Sequence, residues 1–137
     1  MKKTLRIIMD GIIKTRILIV DDHQMYRDEL KKLIDHEADM GVVGIAENGK
    51  KAIELARGLQ PDVILMDVKM PVMDGIEATR QILADKPDMK ILALSMSSDD
   101  GSRTSMMRAG ALGYIMKDDD FEELSGAIRK ATNPISA

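Results

Sequence analysis

The sequence predicts an α/β domain: a doubly wound parallel sheet of five strands, order 2-1-3-4-5, with helices on both faces. Three observations carry that reading. Short apolar runs without polar interruption, such as Ile17–Val20 and Val63–Met66, read as strands buried on both faces. Segments with apolar residues at helical spacing separate these runs, so strand and helix alternate five times. Four of the five runs end on polar residues (Asp21-Asp22, Asp67, Ser95 and Lys117), and open α/β sheets bind ligands outside the carboxyl ends of their strands.

Residues 1–14 read as an N-terminal extension. Leu5, Ile8, Met9, Ile12 and Ile13 fall at helical spacing, and the segment is expected to be a loosely docked tail. A partner-binding helix, or an upstream extension with Met9 as the natural start, are the other readings. The domain proper is expected over residues 15–132. Its first strand, Ile17–Val20, runs into Asp21-Asp22, and a helix carrying Met25, Tyr26, Leu30, Leu33 and Ile34 follows. The second strand is Val42–Ala46. Asn48 then caps a helix with Ala52, Leu55, Ala56 and Leu59 on one face, which Gly58 and Pro61 are expected to end. The third strand ends on Asp67. Pro71 forces a loop, and Asp74 with Glu77 three residues on starts a helix of about residues 75–86, stopped by Pro87. Ile91–Leu94 is the fourth strand and ends on Ser95. A polar loop over 97–101 opens a helix that closes near Gly110. Gly113–Met116 is the fifth strand and ends on Lys117. Asp120 and Glu123 form a capping box for a last helix with Phe121, Leu124, Ile128 and Ala131 on one face. Residues 133–137 read as a tail or the start of a linker.

Composition narrows the function. A chain of 137 residues with no interior linker is one domain, and the absence of cysteine removes disulfides, thiolate metal sites and thiol nucleophiles. A net charge of −3 and three aromatic residues argue against a nucleic-acid surface. No apolar run reaches the roughly 20 residues of a membrane span, and Arg6, Asp10 and Lys14 interrupt any signal-peptide core. The expectation is a cytoplasmic protein without membrane contact.

In the order 2-1-3-4-5 the first and third strands are neighbours, so Asp21, Asp22 and Asp67 share one crevice, flanked by Ser95 and Lys117. Carboxylates within roughly 4–6 Å repel one another unless a cation joins them. A hard-oxygen set points to Mg²⁺, which accepts one or two carboxylates together with phosphate oxygens. Such a site suits phosphoryl transfer, with Asp67 as the nucleophile, Lys117 balancing charge and Ser95 donating a hydrogen bond.

The runs IVDDH (Ile19–His23), MDVKMPVMDG (Met66–Gly75), ALSM (Ala93–Met96) and GYIMK (Gly113–Lys117) resemble the receiver domain of two-component response regulators. The likeness covers about residues 15–131 and is strongest to receivers that precede a LuxR-type helix-turn-helix. It implies a flavodoxin-like fold and phosphorylation of Asp67 by a sensor histidine kinase. It implies direct Mg²⁺ ligation by Asp22, Asp67 and the backbone carbonyl of Lys69, with Asp21 acting through water. Ser95 and Tyr114 would form a switch pair, and Lys117 would pair with the phosphoryl group. Two positions depart from the pattern: Asp118 stands where most receivers have a cis proline, and Gln24 where the LuxR-type group usually has proline.

Plainer readings hold elsewhere. Asp74 is a cap, His23 a surface residue at a helix start, and Met70, Met73, Met106 and Met107 are packing. Asp118, Asp119 and Asp120 are a solvated helix start. A magnesium-dependent phosphohydrolase would need D-x-D-x-T, whereas Asp67 is followed by Val68-Lys69-Met70-Pro71. A pseudo-receiver would lack part of the acidic set. Output is expected through protein contacts: a phosphorylation-dependent homodimer on the first, fourth or fifth helix, a stand-alone interaction module, or control of an effector domain through which alone DNA would be reached.

Overall fold

The computed structural model describes residues 8–9, 12–96 and 100–132. The five expected strands form one parallel sheet, β3 (Thr15–Val20), β4 (Met40–Ala46), β5 (Val63–Asp67), β6 (Lys90–Ser95) and β7 (Gly113–Met116). Their order is β4-β3-β5-β6-β7, which is 2-1-3-4-5 counted from β3. The helices are α1 (Gln24–His36), α2 (Gly49–Leu59), α3 (Gly75–Asp85), α4 (Asp100–Ala109) and α5 (Phe121–Thr132).

Strand periodicity divides the core into two layers. Leu18, Val20, Ile64, Met66, Ile91 and Ala93 face α2, α3 and α4, where they meet Ala52, Ala56, Ala78, Ile82 and Met106. Their alternates Ile17, Ile19, Val63, Leu65, Leu92 and Leu94 face α1 and α5, against Leu30, Ile34, Leu124 and Ile128. Each fully buried aliphatic side chain contributes about 1.5–3 kcal/mol, which is why uninterrupted apolar runs mark these strands.

Helix starts follow the sequence. Asn48 Oδ1 accepts from Lys51 N at 2.9 Å, Asp74 Oδ1 from Glu77 N at 3.0 Å, and Asp120 Oδ1 from Glu123 N at 3.1 Å. Glu77 does not reach back to close a box: its carboxylate is taken by Arg80 and Gln81. The end of α2 differs from expectation. Gly58 lies inside the helix, and Gln60, at φ 48°, is the left-handed cap before Pro61. Gly110, at φ 116°, closes α4, and any Cβ there would strike Leu83. Among the described residues there is no cis peptide bond, so Lys117–Asp118 is trans.

The N-terminal segment departs from its helical spacing. β1 (Ile8–Met9) pairs antiparallel with β2 (Ile12–Ile13), Ile8 opposite Ile13. The residues between them in sequence, Asp10-Gly11, are a hairpin signal that outweighs the periodicity. Residues 1–7, 10–11, 97–99 and 133–137, with the tail, loop and linker readings placed on them, lie outside the described residues. At the far end of the sheet Arg129 of α5 grips Asp39 with two bonds of 2.9 Å and Glu37 with one of 2.7 Å, tying α5 to the α1–β4 turn. Arg129 holds the Asp39 carboxyl below its ordinary range.

Candidate functional site

β3 and β5 are hydrogen-bonded neighbours, so the residues at their carboxyl ends share one crevice. Asp21 follows β3, donates its backbone N–H to Ala46 O at 3.0 Å, and is fully buried. Asp67 ends β5 and is 5% exposed. Lys117 follows β7; its backbone N–H extends the ladder to Ser95 O at 2.8 Å. Its ammonium lies 2.5 Å from Asp21 Oδ2 and 3.2 Å from Asp67 Oδ1.

The two oxygens of Asp67 differ. Oδ1 takes Lys117 and also accepts from Val68 N at 2.9 Å, whereas the buried Oδ2 has no hydrogen-bond partner. Asp22 Oδ1 is likewise buried without a hydrogen bond; it faces His23 Nδ1 at 3.2 Å. Asp21 Oδ1 is engaged by His23 N at 2.8 Å. One ligand atom from each of Asp21, Asp22, His23 and Asp67 falls within 4.8 Å of the others, a spacing a single cation can span. His23, read from sequence as a surface residue, is the exposed N-cap of α1, yet its imidazole joins this cluster.

Burial first, and the Asp21 charge after it, push the Asp67 carboxyl up to about 6 against the opposing pull of Lys117. A buried carboxylate oxygen without a donor, beside two further carboxylates, calls for a cation. The cluster's three carboxylates are hard oxygen donors, which Mg²⁺ fits.

The β5–α3 loop is fixed by its backbone. Gly75 N donates to Val68 O at 2.7 Å, Met73 N to Pro71 O at 2.8 Å, and Gly49 N of α2 to Met73 O at 3.0 Å. Gly75 packs so closely on Asp67 that a Cβ would collide with the Asp67 carbonyl oxygen. Lys69 lies in this loop, two residues past Asp67, with its side chain exposed. Val72, at φ 71°, holds a left-handed conformation that a β-branched residue rarely adopts.

Ser95 is the buried last residue of β6, opposite Met116 and one step beyond Leu94, the register partner of Asp67. Tyr114 is not part of the crevice. It sits three residues before Lys117 on β7, half-buried against the α2–α3–α4 layer, with the Arg103 guanidinium 5.6 Å from its ring centroid. The crevice therefore gathers Asp21, Asp22, Asp67 and Lys117, with Ser95 on the adjoining strand end.

Two residues were missed. The Tyr26 ring faces Lys117, with Nζ 4.8 Å from its centroid, and its hydroxyl is pushed up to about 12 by burial and then by Asp21 and Asp67. Arg27 Nη1 donates to Asp21 O at 2.7 Å. The helical spacing marked Tyr26 as core, and no local pattern pairs a residue with a backbone carbonyl six positions back.

Residues 17–129 match the model of the response regulator receiver domain. The chain is 40% identical over 116 residues to the transcriptional regulatory protein DegU of Brevibacillus brevis, covering 85% of this chain and 49% of that protein. To the response regulator GacA of Pseudomonas aeruginosa it is 42% identical over 115 residues, 84% of this chain and 54% of that one. The chain thus spans about half the length of these curated relatives. Among solved structures, a LuxR-family response regulator from an Aurantimonas species superposes with a TM-score of 0.81 at 35% identity, over 85% of this chain and 83% of that one. The response regulator domain of Thermotoga maritima CheB gives 0.82 at 36% identity, over 88% and 97%.

Proposed function

This chain belongs to the response regulator receiver domain family of two-component signalling, and from that premise we propose that it is a cytoplasmic switch accepting a phosphoryl group on Asp67. Receivers are phosphorylated by sensor histidine kinases, and the donor here would be a phosphohistidine. Asp67 Oδ2 forms the new bond to phosphorus as the P–N bond breaks, and its electron pair leaves with the imidazole, which takes up a proton. The observation that carries this reading is the state of that oxygen: buried and without a hydrogen bond, on a residue of the acidic cluster, while Lys117 and Val68 N fix its twin.

Asp22 and Asp67, with the carbonyl of Lys69, would hold Mg²⁺ directly, and Asp21 through water. Bound there, the ion neutralises the charge of the phosphoryl group in transfer. Asp21 is occupied by Lys117 and His23 N, which favours the indirect role. Lys117 would exchange its contact with Asp67 for one with the phosphoryl oxygens. Ser95 would donate to them, and its movement would let Tyr114 turn inward. The chain would catalyse only its own phosphorylation and dephosphorylation, and its output would pass through a homodimer or an effector domain; the transcriptional regulators among its relatives support the latter. We assign residues 15–132 to the receiver and 1–14 to an extension. The test is phosphate incorporation from acetyl phosphate with Mg²⁺: the label should be labile to acid and to alkali and absent from Asp67→Asn. Full labelling of that variant would refute the assignment.

A further inference from the structure

Tyr26 is the part of the crevice to which the proposed function gives no task. It stands in the first turn of α1, and the Lys117 ammonium lies over its ring. That ammonium is 3% exposed, so water contributes little to holding it. Its partners are Asp21 at 2.5 Å, Asp67 at 3.2 Å and the ring at 4.8 Å. The start of α1 is in turn tied to the loop bearing Asp21 and Asp22, since Arg27 beside Tyr26 donates from Nη1 to Asp21 O and from its backbone N–H to His23 O.

We propose that Tyr26 is a positioning residue for phosphoryl transfer, its ring face keeping the Lys117 ammonium in the crevice while Asp67 is converted to the acyl phosphate. The inference rests on the reading of Asp67 as the phosphoacceptor. In the unmodified crevice Lys117 is nearer to Asp21 than to Asp67, and to meet phosphoryl oxygens it must shift its contacts. A hydrogen-bond acceptor would fix it in one direction. An aromatic face attracts a cation through its quadrupole without prescribing one N–H vector, so the ammonium can turn from one anion to the other and keep this partner throughout. Packing alone would ask less: Tyr26 also lies against the α1–α5 layer, and there any apolar side chain of its size would serve.

Two substitutions separate these roles. Tyr26→Phe retains the ring face and loses the hydroxyl; Tyr26→Leu retains apolar bulk and loses the face. The measurements are the rate of phosphate uptake from acetyl phosphate with Mg²⁺ and the ¹⁵N signal of the Lys117 ammonium, visible only while its exchange with water is slow. Tyr26→Phe should keep at least about half the parent rate and the ammonium signal. Tyr26→Leu should be slower by roughly three- to thirtyfold, the range from a partly exposed to a desolvated cation–π contact, and should lose the signal. Melting curves verify folding, and Tyr26→Met replaces the leucine variant if that one does not fold. Equal rates and equal ammonium signals in the Phe and Leu (or Met) variants would overturn the proposal. Failure of the parent to take up phosphate would strike the reading of Asp67 instead, and the ammonium signal would still report on the ring.

Discussion

At the scale of single residues, Asp67 concentrates the tension between stability and function. Its folded pKa, about 6, lies above the ordinary 3.8, so folding disfavours its charge. Its contribution to stability is fully present below about pH 4 and is lost as the pH rises through about 6, a loss on the order of 3 kcal/mol. Without divalent cations, Asp67→Asn should therefore melt above the parent at pH 7.5, and the gap should close by pH 4; melting curves at the two pH values check this. Mg²⁺ should raise the melting temperature of the parent through linkage. Asp22→Ala should lose that rise more completely than Asp21→Ala, because Asp21 is held by the buried Lys117 ammonium and by His23 N, whereas Asp22 Oδ1 faces the exposed His23 imidazole. Equal losses would reverse the two roles. Asp21, Asp22, Asp67, Ser95 and Lys117 were legible in the sequence because each ends an apolar run. Tyr26 and Arg27 were not, because a helix face shows which residues are buried and not what lies across from them.

At the scale of elements, the β5–α3 loop is the strained one. Val72 holds φ 71° with its side chain exposed, so no packing repays the conformation. Val72→Gly should raise stability by about 1 kcal/mol, read as a shift of the denaturation midpoint with an unchanged slope. Asn48→Ala, which removes the α2 cap, should lower it by about 1 kcal/mol. The switch belongs to this scale too. Ser95→Ala should still take phosphate, but amide shifts over residues 106–114 on phosphorylation should be largely lost; shifts equal to the parent's would break the link between Ser95 and Tyr114. Element starts were readable because side-chain caps are local chemistry. The end of α2 was not, since Gln60 can take the left-handed position that Gly58 advertised. The N-terminal pair of strands was not legible because five apolar residues at helical spacing include the four that pair as Ile8–Met9 and Ile12–Ile13.

At the scale of the molecule, alternation of strand and helix was enough for the fold, because a parallel sheet must bury both faces and its crossovers share one hand. What the sheet cannot convey is the output. The chain covers about half of its transcriptional relatives and carries a net charge of −3. These 137 residues should show no salt-sensitive binding to duplex DNA, phosphorylated or not, since a net charge of −3 opposes the phosphate contacts that release counterions. A titration at low and moderate salt checks this, and light scattering with and without phosphorylation tests self-association.

The crevice described above also has a charge state. Three ionised carboxylates and one ammonium leave two negative charges at the strand ends, which one divalent cation cancels. Turning Asp67 into an acyl phosphate, as proposed, would then add about one further negative charge. The switch so described is a capacitor brought to zero and then stepped by a single unit. Its field acts through a buried, weakly screening interior, where a unit charge is felt much farther than at the surface. A distant face of the domain can thus register the step without any element making a large movement.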